Sequence, residues 1–289
     1  SSSPRRYVLN AEGKLVRLAS ELEPQLLPEL KVDGPYIKRA DTGEIVQLKG
    51  LSIHNPFHDS GPTPLDKAID NIHLAKSWGS NLIRLQYATS SILSHLSDVD
   101  SIVQEANKNG MYVIFSPTSI KPGDYPDRPT QDVIDVNVKL AQHLLPYKHV
   151  ILDILNEPTN NVSWEDLYSD VTISIQKLRE VNPNIVIGVP GREWSRDFGF
   201  YLSHPLPFDN LFYSVHNSPY VDPSWTTIPE GWVADRSYMF KMLLGQHPII
   251  FGEFNYPGLS PFDNSPEETK WMEGTFKLVN DYTLGYTGY

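Results

Sequence analysis

The chain contains no cysteine. That excludes disulfide frameworks, zinc–thiolate sites and thiol catalysis, and leaves the compartment open. It has no run of about 18 apolar residues, so no membrane span is expected. Basic residues are in the minority: 24 Lys and Arg stand against 35 Asp and Glu, a formal net charge of −11. Nucleic-acid binders carry a basic face, so nucleic acid is disfavoured as a partner, whereas a neutral polymer is compatible with this charge. There is no GxSxG elbow, P-loop or dinucleotide glycine motif, which leaves serine hydrolase, NTPase and dehydrogenase readings without support. His54 and His58 stand at a zinc-like spacing, but they follow a strand and lack an adjoining acidic partner. No metal or other cofactor is therefore expected. The opening Ser1-Ser2-Ser3-Pro4 has no initiator Met, so a signal peptide is expected to have been removed and the protein to be secreted.

What is present has a rhythm. The 289 residues, 40% hydrophobic, suit one large core better than two small ones. Short β-rich apolar runs recur at intervals of roughly 30–38 residues, as βα units require. They are Val46–Ile53, Asn81–Gln86, Tyr112–Phe115, Val150–Leu155, Ile185–Val189, Leu211–Val215, Ile249–Phe254 and Leu284 onward. Most are continuous apolar stretches without alternation, the pattern of strands buried on both faces. Helical stripes lie between them. Thr63-Pro64 reads as an N-cap and first helical residue ahead of Leu65, Ile69, Ile72, Ala75 and Trp78. Val99, Ile102, Val103 and Ala106 form another stripe, ended by Gly110. Leu167, Val171, Leu178 and Val181 form a third, ended near Pro183, and Pro266 to Asn280 reads as the helix before the last strand. Together these predict an α/β fold, a (β/α)8 TIM barrel, forming one catalytic domain over residues 1–289. Residues 1–45 stand outside the repeat. Tyr36–Arg39 and Ile45-Val46 read as a hairpin turning at Asp41–Gly43, expected to cap the barrel bottom. Pro24 and Pro28 favour an extended wrap for residues 1–30.

Catalytic groups of such barrels sit at the carboxyl ends of the strands. The fourth run ends Leu155-Asn156-Glu157-Pro158 and the seventh Phe251-Gly252-Glu253-Phe254. Each delivers a carboxylate to the mouth directly after a buried stretch, where a charge is costly unless paired, hydrogen-bonded or used. Two carboxyls facing each other suit glycoside hydrolysis. One protonates the leaving oxygen and the other attacks the sugar carbon; a separation of ~5–5.5 Å gives retention through a covalent intermediate.

On these motifs the chain resembles glycoside hydrolase family 5, the cellulase family, and is closest to its bacterial endoglucanases. The resemblance runs from about residue 35 onward. Val46–His54 is similar to the family's first strand, Asn81-Leu82-Ile83-Arg84 to the second, Trp194–Asp197 to the loop after the fifth, and Tyr213–His216 to the sixth. It implies Glu157 as acid/base, Glu253 as nucleophile and Arg84 beside the nucleophile. Asn156 would bind the sugar 2-hydroxyl, His216 would orient the acid/base or hold substrate, and His54 and Trp194 would line the cleft. Trp225 and Trp232 are candidate outer subsites. The implied activity is a retaining endo-β-1,4-glucanase on a β-linked polysaccharide or oligosaccharide, with a β-mannanase or other β-glycanase as alternative. A monomer is expected.

Three positions depart from the family pattern. Thr118 stands where a histidine follows the third strand. Ser218 stands where a tyrosine lies beside the nucleophile, and Tyr220 reaches that space if the loop bulges. No tryptophan ends the eighth strand; either the C-terminal end is truncated, or Tyr286 or Tyr289 takes its place. From another class, a non-catalytic carbohydrate-binding barrel fits these losses, but Glu157, Glu253, Arg84 and Asn156 together argue against it.

Overall fold

The computed structural model describes residues 7–9, 15–17, 26–57, 64–121, 123–217, 239–254 and 266–288. Two small antiparallel sheets precede the barrel: β1 (Tyr7–Leu9) with β2 (Leu15–Arg17), and β3 (Leu30–Asp33) with β4 (Tyr36–Arg39). The predicted turn is present, with Gly43 N–H donating to the Arg39 carbonyl at 2.9 Å. It brings Val46 N–H to within 2.8 Å of the Ile37 carbonyl. The hairpin has a further arm that the sequence did not predict. β4 pairs with β3 from Leu30↔Arg39 to Asp33↔Tyr36, through a tight turn in which Gly34 adopts φ 58°, a conformation glycine takes without steric cost. Because Val46 belongs to this cap, the first barrel strand starts at Lys49 and not at Val46.

The barrel strands are β5 (Lys49–His54), β6 (Leu82–Ala88), β7 (Tyr112–Ser119), β8 (Val150–Asp153), β9 (Ile187–Pro190), β10 (Leu211–Asn217), β11 (Ile249–Phe254) and β12 (Gly285–Gly288). They run parallel in sequence order and close where β12 pairs with β5, Tyr286↔Lys49 to Gly288↔Leu51. Every residue of β6, β8 and β9 is buried, because one face fills the lumen and the other meets the helices.

The helices Leu65–Ser77, Leu96–Lys108, Trp164–Val181 and Pro266–Tyr282 occupy the predicted stretches. The first begins after Pro64; Thr63 lies outside the described residues. Gly110, at φ 73°, follows the second. A further helix, Gln131–His143, carries no clean apolar stripe because its buried face includes Asn137. That amide accepts a hydrogen bond from Tyr87 Oη and donates to the Ile154 carbonyl, which satisfies it in the core.

Two cores result. The larger lies between strands and helices. The smaller plugs the barrel bottom, where Leu30 and Ile37 of the hairpin pack with Leu48, Leu82, Ile114, Ile151, Phe212 and Ile250. The mouth at the other end is left for chemistry. Outside the barrel, β12 and β5 floor a groove of about 600 Å³ walled by Trp78, Met272 and Phe276. Tyr286 points into this groove and meets Phe276 edge to face, ring centroids 6.3 Å apart. It therefore does not take the tryptophan's place in the lumen; Tyr289 lies outside the described residues. Among the described residues, no helix is long and apolar enough to cross a membrane.

Candidate active site

Glu157 and Glu253 meet across His216. His216 Nδ1 lies 2.7 Å from Glu157 Oε1 and 3.7 Å from Glu253 Oε2. One oxygen of each carboxylate and a ring nitrogen of His216 all fall within 4.8 Å of one another. The meeting depends on a local irregularity. The β10–β11 register shifts between Val215 and His216, so that His216 pairs with Glu253. Such bulges at barrel rims re-aim side chains. Gly252 makes the close packing achievable, since a Cβ there would stand 2.7 Å from Ser214 Oγ and 3.3 Å from His216 Nε2.

Beneath the pair lies Arg84, a cation with no exposed surface. Removing a guanidinium from water is tolerated only with opposite charge and hydrogen bonds around it. Asp153, 1% exposed, supplies the charge, accepting from Arg84 Nε at 3.0 Å and lying 2.9 Å from Nη2. Nη2 also donates to Ser116 Oγ at 2.8 Å and to Asn156 Oδ1 at 2.7 Å. With those positions taken, Nη1 faces Glu253 Oε1 at 3.6 Å. Gln86, on the same face of β6, donates its amide N–H to Glu253 Oε1 and, at 3.3 Å, to Asn156 Oδ1. Gly188 leaves room for Asp153, because a Cβ there would lie 2.0 Å from Asp153 Oδ1.

These surroundings set the titration of the site. Burial pushes the Glu157 carboxyl up to about 7, against the pull of the Arg84 and Arg196 cations. Its side chain is still 33% exposed, so the acid is reachable from the mouth. Burial pushes the His216 imidazole down to about 4, with the negative charge of Glu253 opposing. His216 is therefore neutral at pH 7 and can accept or donate at Nδ1. His54, at the end of β5, is also lowered, by burial and then by Arg84.

Glu157, Glu253, Arg84, Asn156 and His216 thus come together in one place. Asn156 is held with its Oδ1 toward Arg84 and Gln86. Trp194 sits on the rim, 39% exposed, with the Arg196 guanidinium 5.0 Å from its ring. Its backbone is unusual: Glu193, Trp194 and Ser195 have φ of 53°, 57° and 58°. The left-handed run is held by Trp194 N–H on the Pro158 carbonyl (2.8 Å) and Ser195 Oγ on the Asn156 carbonyl (3.1 Å). The backbone of Trp194 is thereby tied to the segment that carries Glu157. Thr118 Oγ1 donates to the Ser116 carbonyl at 3.4 Å. Tyr220, Ser218, Trp225, Trp232 and His58 lie outside the described residues.

Gln86, Asp153, Ser116, Ser214 and Arg196 were not predicted. Gln86 had a signal, its i+2 spacing from Arg84 on one strand, which puts both in the lumen. Asp153 had one in being a lone charge inside an apolar run. Among the described residues, Glu157, His216 and Glu253 form a group whose spacing would admit a metal ion; the guanidinium 3.6 Å from Glu253 opposes a dication there.

Comparison with known proteins bears on the family. The profile of cellulases, glycosyl hydrolase family 5, matches residues 40–289. The chain is 28% identical over 218 residues to endoglucanase A of Butyrivibrio fibrisolvens, covering 71% of this chain and 49% of that protein. It is 29% identical over 250 residues to an endoglucanase of Streptomyces lividans, covering 73% and 52%. It thus spans about half the length of these curated relatives. Among solved structures, a β-glucanase of Saccharophagus degradans in complex with cellotetraose superimposes with a TM-score of 0.73 at 15% identity, covering 95% of this chain and 88% of that one. The catalytic domain of a Thermobifida fusca endoglucanase gives 0.70 at 19% identity, covering 91% and 85%. With the profile spanning most of its length and the barrel closing in the family's strand order, the chain belongs to the cellulase family, glycosyl hydrolase family 5.

Proposed function

We propose that the protein is a retaining endo-β-1,4-glucanase, with Glu157 as acid/base and Glu253 as nucleophile. The observation that carries this is the proximity of the two carboxylates, with an oxygen of each inside a 4.8 Å cluster. Inverting enzymes hold their carboxyls ~6.5–9.5 Å apart to admit a water, and retaining ones ~5–5.5 Å. In the first step Glu253 attacks the anomeric carbon. The glycosidic C–O bond breaks, its electron pair goes to the leaving oxygen, and that oxygen takes the proton of Glu157. In the second step water adds to the same carbon and gives a proton to Glu157. The ester bond to Glu253 breaks with its electron pair returning to the carboxylate.

The two environments suit these roles. Burial keeps the Glu157 proton on near neutrality. Arg84 and Gln86 both face Glu253 Oε1, so a cation and an amide donor hold the carboxylate in place. Trp194 offers a flat apolar face for a sugar at the rim, and Asn156 stands ready for the 2-hydroxyl. The relatives' names support a β-glucan as substrate. A polymer too large to enter a cell is consistent with secretion, and a monomer suffices, since every residue used comes from one chain.

Incubation with soluble cellulose, mannan, xylan and laminarin, with product lengths resolved, tests the activity. Internal cuts in cellulose, with the β-anomer appearing first in proton NMR, are expected. Cuts only in mannan point to the β-mannanase alternative. Binding of β-glucan without cleavage points to a carbohydrate-binding barrel, and α-anomer products exclude retention.

A further inference from the structure

Gln86 is 1% exposed and lies deep in the lumen, two residues after Arg84. Its amide nitrogen faces two acceptors, Glu253 Oε1 and Asn156 Oδ1. The opposite rotamer of the amide would set a carbonyl oxygen against both of them, so the orientation is decided by its partners. In that orientation the other end of the amide, Oε1, is buried and meets no hydrogen-bond donor among the described residues. An unpaired buried carbonyl is a cost that a methionine or leucine of similar volume would avoid. The contacts the amide makes are those of its N–H groups, on Glu253 and on Asn156. The Arg84 cation and the neutral His216 imidazole stand farther from Glu253, Nη1 at 3.6 Å and Nδ1 at 3.7 Å.

Resting on the reading of Glu253 as nucleophile, we propose that Gln86 is a positioning residue for that nucleophile. Its N–H holds the Glu253 carboxylate by Oε1, which fixes the rotation of the carboxylate at the attacking distance. The same N–H receives the negative charge that returns to Glu253 when water displaces it from the glycosyl-enzyme. No proton is transferred; the amide N–H bonds more strongly to the full negative charge of the carboxylate than to the partial charge of an ester oxygen, so it favours release of Glu253. Both steps gain, attack through orientation and release through charge stabilisation.

The test uses the full chain and two variants, Gln86→Met, which keeps length and loses the donor, and Gln86→Glu, which keeps shape and replaces the donor by an acceptor. The wild-type protein is first labelled with an aryl 2-deoxy-2-fluoro-β-cellobioside and the modified peptide located by mass spectrometry. The trapped ester is then reactivated and its turnover timed in each protein. A label on Glu253, with reactivation slowed roughly 10- to 100-fold in Gln86→Met, is the expected result. On cello-oligosaccharides kcat should fall with little change in KM, because the donor is lost from the reacting carboxylate and not from the sugar contacts. Unchanged reactivation and an unchanged kcat in a folded Gln86→Met would overturn the proposal and leave the nucleophile standing. A label on another residue would overturn both. If Gln86→Met does not fold, Gln86→Glu decides on the same two readouts.

Discussion

Arg84 and Asp153 form a fully buried ion pair below the candidate catalytic carboxylates, Nη2 to Oδ2 at 2.9 Å with 0% and 1% of their side chains exposed. Asp153 does more than neutralise. By occupying Nε and Nη2 it leaves Nη1 as the edge of the guanidinium that meets Glu253. Replacing Asp153 with alanine strands a buried cation, and a loss of about 3–5 kcal/mol in unfolding free energy is expected. Asp153→Asn keeps the shape and removes the charge. The uncompensated Arg84 then pulls harder on Glu157, so the basic limb of the pH–rate profile should move to lower pH. An unshifted limb in a folded Asp153→Asn would refute the coupling.

In the proposed mechanism the Glu157 carboxyl must be protonated to assist departure. With burial holding it at about 7, kcat/KM on a natural glucan should fall as pH rises through about 7. Glu157→Gln should abolish that limb along with most activity. An aryl cellobioside whose phenol leaves without a proton should still form the glycosyl-enzyme in this variant, as stopped-flow release of the phenol would show.

Stability should carry the same signature. The Glu157 carboxyl rises from its ordinary 4.5 to about 7, so its contribution is present below pH 4.5 and lost as pH climbs toward 7. His216 falls from 6.5 to about 4; its contribution is present above 6.5 and lost as pH drops toward 4. Melting temperatures across pH 4–8 should therefore diverge in opposite senses. Relative to wild type, Glu157→Gln gains as pH rises and His216→Asn gains as pH falls.

Gly188 tests the packing under the site. A Cβ at this position would lie 2.0 Å from Asp153 Oδ1 and 2.6 Å from Phe212 Cζ. Gly188→Ala should cost about 1–3 kcal/mol in chemical denaturation. Its kcat should drop as well, since displacing Asp153 displaces Arg84. A variant that is destabilised yet has full kcat would show that Asp153 does not set Arg84.

At the rim, Trp194→Ala should raise KM on cello-oligosaccharides roughly tenfold with little change in kcat, as expected for an apolar stacking surface. Equal kinetics on tetraose and pentaose substrates would remove Trp194 from the sugar path.

The barrel was legible because strands buried on both faces appear as apolar runs, and their spacing records the intervening helices. The second arm of the hairpin was not legible, since the turn at Asp41–Gly43 competed with the tighter one at Gly34. The helix Gln131–His143 was hidden by Asn137, whose polar group is satisfied only by contacts from elsewhere in the chain. Tyr286 shows the same limit from the other side. An aromatic near the eighth strand end fits either face, and the register of β12 turns this one outward.

By itself the amino-acid sequence determined the eight-unit repeat, the parallel burial pattern and the delivery of Glu157 and Glu253 to the same rim. Those are local properties, set by hydrophobic period and by what immediately follows each apolar run. Only the tertiary structure decided how the charges are partnered. Asp153 reaches Arg84 across 69 residues and Gln86 reaches Glu253 across 167, and the register shift at Val215/His216 turns the imidazole between the two acids. Barrel closure makes these neighbours, because it brings the inward face of every strand to one axis, and no spacing along the chain encodes which inward residues meet there.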